Sequence, residues 1–299
     1  MTQIAIPPGT ETEASVNTPL PGGGRGIVGT EASDRLRGTG FSDMMAGLAG
    51  DDFLASGAGD DDLLMGFGAD TALGGIGDDS IQGNQGGDSL AGSEGDDYLR
   101  GGKDDDILEG GDGNDVLLAD RGEDIVSGGT GNDSIEGRQG SDNLDGDEGN
   151  DTLEGGKGDD VLDGGTGDDF LSGGRGNDLF TGGEGADDFF FWFNADGSYG
   201  VDTITDFNRD EGDKIVFAAG PTVPEDGRFN VLSGLSSGGQ LPEDSFAVIE
   251  NFDPTVEGQT TAAIIYDPAD GLVYYNPTES AGDEAAIAQV DNTVYDVNN

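Results

Sequence analysis

The sequence predicts an all-β solenoid of short parallel strands, followed by a small antiparallel β cap. Three observations predict it: an aspartate that recurs every nine residues, an apolar residue two places after each aspartate, and 58 glycines among 299 residues. A nine-residue unit with one buried side chain cannot form a core by itself, so successive units must stack.

The aspartates keep one phase through 18 repeats without a slip. They are Asp34, Asp43, Asp52, Asp61, Asp70, Asp79, Asp88, Asp97, Asp106, Asp115, Asp124, Asp133, Asp142, Asp151, Asp160, Asp169, Asp178 and Asp187. The apolar residues are Leu36, Met45, Leu54, Leu63, Ala72, Ile81, Leu90, Leu99, Leu108, Leu117, Val126, Ile135, Leu144, Leu153, Leu162, Leu171, Phe180 and Phe189. Turn formation alone also favours Asp and Gly, but it requires no strict phase.

The nine-residue unit has a direct structural interpretation. The apolar residue and its two neighbours fit a short strand with one inward side chain, and the six residues before them fit a glycine-rich turn. If strands alternate between two parallel sheets, two repeats make one coil and 18 repeats make about nine coils. Aspartates of alternate repeats then lie ~4.8 Å apart, where two carboxylates need a cation between them. Oxygen ligands without nitrogen or sulfur are typical of calcium.

The composition also favours a cation as the main partner. The chain carries 63 acidic and 12 basic residues, for a formal charge of -51, and only 33% of its residues are hydrophobic. Such a chain stays expanded unless its charge is neutralised. The charge excludes nucleic acid as a partner and disfavours an anionic membrane surface. The absence of cysteine and histidine excludes the usual zinc sites, thiol chemistry and histidine-based triads.

The repeat resembles the RTX (repeats-in-toxin) nonapeptide G-G-x-G-x-D-x-U-x. The segments "GGKGDDVLD", "GGTGDDFLS" and "GGRGNDLFT", residues 155–181, match it position by position. The resemblance implies a parallel β-roll over 29–190, with Ca²⁺ held between turns on the same edge. In a typical site it implies as ligands Asp160 and Asp178 with the backbone carbonyls of Gly155, Lys157, Gly174 and Gly176.

The resemblance also implies a number of ions. Eighteen repeats leave about eight gaps per edge, hence about 16 Ca²⁺, which would reduce the charge of -51 to roughly -19. The first three turns, "GTEASD", "GTGFSD" and "GLAGDD", lack the glycine pair, so we expect weak binding or a capping role there. The turns "ADRGED" and "GRQGSD" depart from the pattern as well.

Residues 191–299 are interpreted as a carboxyl-terminal β cap. Phe189, Phe191, Trp192 and Phe193 are expected to close the end of the roll. "DTITDF", "EGDKIVF" and the hairpin-like "IIYDPADGLVYYN" resemble segments that follow the roll in RTX proteins. In that family the region is associated with type I secretion without a signal peptide. The resemblance therefore implies a secreted protein, extracellular or at the cell surface.

The amino-terminal region and the outer faces raise the question of assembly. Residues 1–28 are rich in Pro, Thr and Gly and predict an extended tail, in which Ile4 and Ile6 are candidates to pair along another subunit's edge. Outward positions of the roll carry Met44, Ala46, Phe53, Ala55, Leu64, Leu73, Ile107, Val116 and Ile125. Two interpretations stay open, namely strand propensity and an interface between copies.

Together these features predict a calcium-binding structural protein that folds on Ca²⁺ and self-assembles, as a homo-oligomer or polymer, into an extracellular fibre, surface layer or matrix. The alternative is an RTX adhesin or toxin-like module that binds a host or glycan surface. An enzyme is not expected: "GLSSG" around Ser236 matches a nucleophile motif, but the chain has no histidine as its base. No apolar run is long enough to span a membrane, and the first residues lack signal-peptide features.

Overall fold

The computed structural model describes residues 16–193, 202–208, 211–219, 246–248, 264–267, 272–275 and 285–290, and every regular element in these ranges is a β-strand. The strands are β1 Val16–Pro19, β2 Arg25–Val28, β3 Arg35–Arg37, β4 Met44–Ala49, β5 Phe53–Ala58, β6 Asp62–Phe67, β7 Thr71–Ile76, β8 Ser80–Gln85, β9 Ser89–Glu94, β10 Tyr98–Lys103, β11 Ile107–Asp112, β12 Val116–Arg121, β13 Ile125–Thr130, β14 Ser134–Gln139, β15 Asn143–Glu148, β16 Thr152–Lys157, β17 Val161–Thr166, β18 Phe170–Arg175, β19 Leu179–Glu184, β20 Asp188–Phe193, β21 Asp202–Ile204, β22 Lys214–Ala219, β23 Phe246–Val248, β24 Ile264–Asp267, β25 Leu272–Tyr275 and β26 Ala285–Val290. Within the described ranges, no helix is long and apolar enough to cross a membrane.

The chain divides into two compact units, the first of which ends at Ile135. In this unit the strand order is β1-β2-β4-β6-β8-β10-β12 in one sheet and β3-β5-β7-β9-β11-β13 in the other. Neighbouring strands pair in parallel and are one coil, or 18 residues, apart, as Leu63 and Ile81 show. The exception is β1, which pairs antiparallel with β2.

The second unit starts at Glu136 and has the strand orders β16-β18-β20-β22 and β15-β17-β19-β21. Beyond β21 the pairing is mixed. β26 is parallel to β21, β25 is antiparallel to β26, and β23 is parallel to β24. The predicted hairpin is present as the antiparallel pair β24–β25, with Ile264 opposite Tyr275.

The predicted fold class is therefore confirmed as all-β with parallel, stacked strands. The 18 strands from β3 to β20, at two per coil, amount to the nine coils that the repeats predict. The strands are longer than expected, however. Val161–Thr166 joins the last three residues of one repeat to the first three of the next, and its ladder runs through Gly165 opposite Gly183. A positive φ of 96° at Gly165 bends the chain while its peptide groups still pair. Within the six-residue turn 164–169, only residues 167–169 therefore lie outside the strands.

The core is a stack of single apolar side chains along each sheet. All 18 apolar residues predicted to face inward are buried. Leu144, Leu162 and Phe180 occupy the same position in three successive coils of one sheet, and each has no exposed surface. A second inward position, at the start of each turn, is almost always glycine, but Met65 and Ala119 occupy it fully buried.

Aromatic rings cover the end of this stack. Phe180 meets Phe189 and Phe191 edge-on, with ring centroids 6.1 and 5.6 Å apart, and Phe207 lies 6.1 Å from Phe189. The side chains of Trp192 and Phe193, predicted to share this role, lie outside the described part of the chain, as does the segment 1–15.

The outward apolar residues divide into two kinds. Met44, Leu64 and Ile125 are about half exposed, at 56%, 46% and 52%. Phe53 is instead buried, and the Arg35 guanidinium lies 4.2 Å from the centre of its ring in a cation–π contact.

Replacing Leu162 by Ala tests the stack. We expect the free energy of unfolding in excess calcium to fall by about 2–5 kcal/mol, because neighbouring coils cannot close the cavity. The measurement is chemical denaturation followed by circular dichroism. The matched control is Val161→Ala in the same strand, whose side chain faces outward and is 40% exposed. Equal losses for both variants would contradict a core made of single stacked side chains.

Candidate metal centre

The coils bring aspartates of alternate repeats together into two rows, one along each edge, and we call the space between successive members of a row a gap. The backbone N–H of Asp160 donates to Oδ1 of Asp178 at 2.9 Å, and that of Asp169 donates to Oδ1 of Asp187 at 3.0 Å. Ten pairs in the first unit, from Asp34 with Asp52 onwards, make the same bond at 2.6–2.9 Å. The rows therefore have a strictly repeated geometry.

The other carboxylate oxygen of each repeat aspartate, Oδ2, is the candidate metal ligand. All 18 repeat aspartates are at most 3% exposed. Among the residues that the structure describes, a buried Oδ2 without any hydrogen-bond partner occurs in Asp52, Asp61, Asp70, Asp79, Asp88, Asp97, Asp106, Asp115, Asp160, Asp169, Asp178 and Asp187. A buried carboxylate with an unsatisfied oxygen costs several kcal/mol unless a cation compensates it.

The pKa values of several repeat aspartates are raised by the same burial. Burial, opposed by the backbone hydrogen bond and reinforced by neighbouring aspartates, raises the pKa of Asp79 and Asp160 to about 7 and that of Asp106 to about 8. Without a cation, the folded protein therefore favours protonated carboxyl groups at pH values where free aspartates are ionised.

Glycine at the first position of the turn leaves a space between two oxygens. At Gly164, the point that a Cβ would occupy lies 2.5 Å from Oδ2 of Asp169 and 2.5 Å from the carbonyl oxygen of Gly182 in the next coil. Gly155 is flanked in the same way by Asp160 and the carbonyl of Gly173. The carboxylate and carbonyl oxygens therefore border the same small space, and both are donors of the kind that calcium takes.

The turn of Asp160 directs two carbonyl groups towards the next coil. The carbonyl oxygen of Gly156 lies beside the Cβ position of Gly174, and that of Gly158 lies beside the Cβ position of Gly176. Side chains at positions 174 and 176 would collide with these two oxygens. The carbonyl groups of the second and fourth residues of a turn therefore face the gap towards the next coil.

The turn of Asp178 directs two carbonyl groups back into the same gap. The carbonyl oxygen of Gly173 lies 2.7 Å from the Cβ position of Gly155. The carbonyl of Arg175 accepts the N–H of Gly158 at 2.8 Å. The first and third residues of each turn therefore face the gap below it.

The carbonyls carried over from the resemblance are distributed differently. Gly155 and Lys157 face the preceding coil, where the Lys157 carbonyl accepts the N–H of Gly140 at 2.9 Å. On the side of Gly174 and Gly176 that faces Asp160, the nearest atoms are the carbonyl oxygens of Gly156 and Gly158. The reason is general: along a strand, carbonyls of alternate residues point to opposite neighbours.

Carboxylates alone do not make up these sites. In the described part of the chain, no three acidic side chains converge where one metal ion would contact them all. Two carboxylates per gap, together with backbone carbonyls, are the available donor set. All of these donors are oxygen atoms, which suits a hard divalent cation.

The first two aspartates are satisfied by the chain itself. The N–H and Oγ1 of Thr30 donate to Oδ2 of Asp34 at 2.5 and 2.9 Å, and Thr39 makes the same two bonds to Asp43 at 2.5 and 3.0 Å. These two turns have the features expected of a cap. The third turn does not, because Oδ2 of Asp52 has no partner.

The sequence analysis missed two aspartates that continue the rows. The N–H of Asp178 donates to Oδ1 of Asp202 at 3.0 Å, and the N–H of Asp187 donates to Oδ1 of Asp213 at 3.1 Å. Both lie outside the nine-residue phase. The signal that could have found them is the triplet of Asp, any residue and Ile in "DTI" and "DKI".

A second ladder, also missed, runs along the exposed side of the turns. In several repeats the residue before the aspartate accepts a backbone N–H from the following coil. The N–H of Asp78 donates to Oδ1 of Asp60 at 3.3 Å, that of Asp96 to Oδ1 of Asp78 at 3.0 Å and that of Asn114 to Oδ1 of Asp96 at 2.7 Å. Short polar side chains at this position therefore stabilise the stacking directly.

The aspartate and glycine positions that build these gaps match a known family. The model of the RTX calcium-binding nonapeptide repeat matches residues 28–63, 66–99, 82–117, 91–126, 118–153 and 154–189, more than half of the chain. The chain belongs to this RTX family. RTX repeats bind calcium, and the matched segments contain all 18 repeat aspartates but not Asp202 or Asp213. No curated protein matches the chain.

Replacing Gly164 by Ala tests the space beside Asp169. We expect the calcium-bound form to lose roughly 1–3 kcal/mol, because the new methyl group lies within 2.5 Å of two oxygens that need it empty. Calcium titration followed by circular dichroism gives the shift in midpoint. Gly40→Ala is the control, since a Cβ there meets nothing within 4 Å. Equal midpoints for the two variants would rule out the space as part of a site.

The raised pKa values predict how the calcium-free chain responds to pH. A carboxyl group whose pKa is raised by folding binds more protons when folded, so stability is highest below the unfolded pKa of ~4 and is lost as pH rises towards the folded values of about 7 to 8. Circular dichroism of metal-stripped protein should show more β structure at about pH 4 than at pH 8. A signal that increases with pH would contradict this sign.

Proposed function

We propose that this protein is a secreted, calcium-dependent structural protein whose roll forms when Ca²⁺ enters the gaps between coils. The observation that carries the proposal is the row of buried Oδ2 atoms without partners, several of which, such as those of Asp160 and Asp169, lie beside a backbone carbonyl of the next coil. An ion in each gap would satisfy both oxygens and separate two carboxylates that otherwise repel each other.

A typical gap would supply six oxygen ligands. For the gap between Asp160 and Asp178, we propose Oδ2 of Asp160, Oδ1 of Asp178 and the carbonyls of Gly156, Gly158, Gly173 and Arg175. Each aspartate would then serve two gaps, one with each oxygen. The repeats offer about 16 gaps, and in the first gap on each edge Thr30 and Thr39 already donate to Oδ2 of Asp34 and Asp43.

The charge of the chain supports folding coupled to binding. With a formal charge of -51, the chain repels itself and stays expanded where calcium is scarce. Extracellular calcium modules bind at ~10⁻⁴–10⁻³ M, so the roll would condense after export. We infer export by type I secretion from membership of the RTX family, with 29–190 as the roll, 191–299 as the cap and secretion region, and 1–28 as a tail.

Exposed apolar side chains support assembly between copies. Met44 and Leu64 lie on one outer sheet face, and Ile107 and Ile125 lie directly opposite each other on adjacent strands of the other sheet. Exposed apolar patches mark interaction surfaces. We propose a homo-oligomer or polymer that forms a fibre, surface layer or matrix, and we assign no reaction to the protein.

The second candidate function is an adhesin or toxin-like module. Its support is the exposure of aromatic rings at Phe41, Phe67 and Tyr98, at 55%, 58% and 37%. Aromatic faces combine apolar area with specific geometry and are common in recognition surfaces. Such a module would bind a host or glycan surface as a monomer.

Removal of calcium tests both candidates. We expect chelator to abolish the β signal in circular dichroism and millimolar calcium to restore it, because the carboxylate rows lose their counter-charge. A chain that keeps its β signal in excess chelator would contradict calcium-dependent folding.

Electron microscopy with and without calcium separates the two functions. Regular filaments or sheets that form only with calcium support assembly. Monodisperse particles in both conditions, together with glycan-array binding, would instead favour the adhesin.

A further inference from the structure

We propose that copies of this protein associate through two exposed rows of opposite charge, one on each sheet. This proposal rests on the assembly proposed above and names the surfaces that the assembly uses. Both rows consist of the last residue of each strand from β6 to β19, and every one of these residues is exposed. We call the row on the even-numbered strands the basic row and the row on the odd-numbered strands the acidic row.

The two rows are sorted by charge. In the first unit the basic row contains Phe67, Gln85, Lys103 and Arg121, and the acidic row contains Ile76, Glu94, Asp112 and Thr130. In the second unit the basic row contains Gln139, Lys157 and Arg175, and the acidic row contains Glu148, Thr166 and Glu184. No acid stands in the basic rows and no base in the acidic rows, although acids outnumber bases by 63 to 12 in the chain. The sign of the charge at this position therefore follows the sheet.

The fold itself does not require a charge at this position. Gln85 pairs with Phe67 across β6 and β8, and Thr130 pairs with Asp112 across β11 and β13. Neutral polar and apolar side chains therefore end these strands in the same register as charged ones. The stacking of coils does not explain why the charges are sorted.

Within each row, like charges lie side by side. Lys103 is directly opposite Arg121 on the adjacent parallel strand, and Glu94 is directly opposite Asp112. Like charges on directly opposite residues destabilise a sheet, so each row is unfavourable in an isolated molecule. A row of opposite charge on another molecule would offset this repulsion.

The charges of the basic row are not neutralised by ion pairs within their own chain. Arg100, on the same strand as Lys103, forms an ion pair with Asp120. In the part of the chain that the structure describes, no acidic side chain forms such a pair with Lys103 or Arg121. These two side chains therefore present their charges to a partner.

A second copy of the chain is the partner that fits, because each copy carries both rows. The rows lie on different sheets, so a copy whose basic row meets one neighbour keeps its acidic row for another. Such a contact is heterologous: it continues from copy to copy, as a ring or an open chain, instead of closing as a two-fold dimer. A fibre or layer needs a contact of this kind.

Charge would decide which surfaces meet, and apolar side chains would add contact area. Phe67 belongs to the basic row and Ile76 to the acidic row, and both are more than half exposed. An exposed ion pair contributes only about 0.2–1 kcal/mol. The complementary rows would therefore act mainly on the orientation and specificity of the contact.

Calcium is required before the rows can meet. Each calcium-free copy has a formal charge of -51, so copies repel each other at long range. Ions in the gaps would reduce this repulsion and leave the local charges of the rows to act within a Debye length of about 8 Å. Association should therefore need calcium and decrease as salt is added.

The test reverses each row of the first unit in the full chain. The basic-row variant is Lys103→Glu with Arg121→Glu, and the acidic-row variant is Glu94→Lys with Asp112→Lys. Sedimentation velocity in millimolar calcium measures self-association, and circular dichroism checks that each variant folds. We expect each variant alone to need an about tenfold higher concentration than the wild type to associate, because like charges would face each other.

A matched control separates the rows from net charge. Arg100→Glu with Arg138→Glu changes the net charge as much as the basic-row variant does. It removes arginines that pair within their own chain, with Asp120 and with Glu136 at 2.8 Å. We expect this control to associate like the wild type. If charge reversal prevents folding, Lys103→Gln with Arg121→Gln replaces it, since glutamine ends β8 at the same position.

Mixing the two row variants is the decisive measurement. In the first unit, one variant carries two acidic rows and the other two basic rows, so an equimolar mixture should associate at concentrations where neither does alone. A defect in folding could not be rescued in this way. A mixture that fails to associate would overturn the proposal.

The remaining outcomes are assigned in advance. Row variants that associate as readily as the wild type overturn the proposed surfaces and leave the proposed function intact. Loss of association in the basic-row variant alone would show that this row meets another anionic surface, such as a polysaccharide, and would overturn the pairing of rows. A wild type that folds with calcium but stays monomeric would instead refute the proposed assembly itself.

Discussion

The rest of the structure depends on a carboxylate that is buried with only one of its two oxygens bonded. Asp160 shows the arrangement: Oδ1 accepts the N–H of Asp142 in the coil below at 2.9 Å, and Oδ2 faces the coil above without a partner. Each aspartate therefore joins two gaps. A neutral side chain would remove the demand for a cation. The nine-residue phase of the repeats meets this condition on both edges at every coil, and the longer connections before Asp202 and Asp213 keep the same N–H bond.

Glycine follows from the same constraint, for two separate reasons. At the first position of a turn, a side chain would enter the space between a carboxylate and a carbonyl, as at Gly164. At the second and fourth positions the backbone has a positive φ, where other residues are strained by about 1 kcal/mol or more. Leu48 and Asn84 adopt φ values of 89° and 80° in such places. At the first position of another turn, the Ser56 hydroxyl donates to the Gly74 carbonyl at 2.6 Å and so engages an oxygen that faces a gap.

The local pattern made the roll and its rows predictable, because one aspartate and one apolar residue per repeat fix the phase, the inward face and the edge. Two features could not be predicted: the aspartates that follow longer connections, and the direction in which each backbone carbonyl points. Asp202 and Asp213 follow intervals of 24 and 26 residues, which no short period detects. The carbonyl ligands stay a prediction: the carbonyls of Gly155 and Lys157 face the preceding coil, and composition does not state which neighbour an alternate carbonyl faces. The burial of Phe53 required knowledge that Arg35 lies beside it one coil earlier.

Each coil contains 18 residues, or two repeats, and this limits how the length of the roll can change. Loss or gain of 18 residues removes or adds one whole coil and leaves every later strand in its own sheet. Loss of nine residues transfers every later strand to the opposite sheet, so β21 and β22 would exchange edges and their unequal connections would no longer fit. Recombination between repeats should therefore leave descendants that differ by even numbers of nonapeptides, and the length of the roll would be inherited in steps of two.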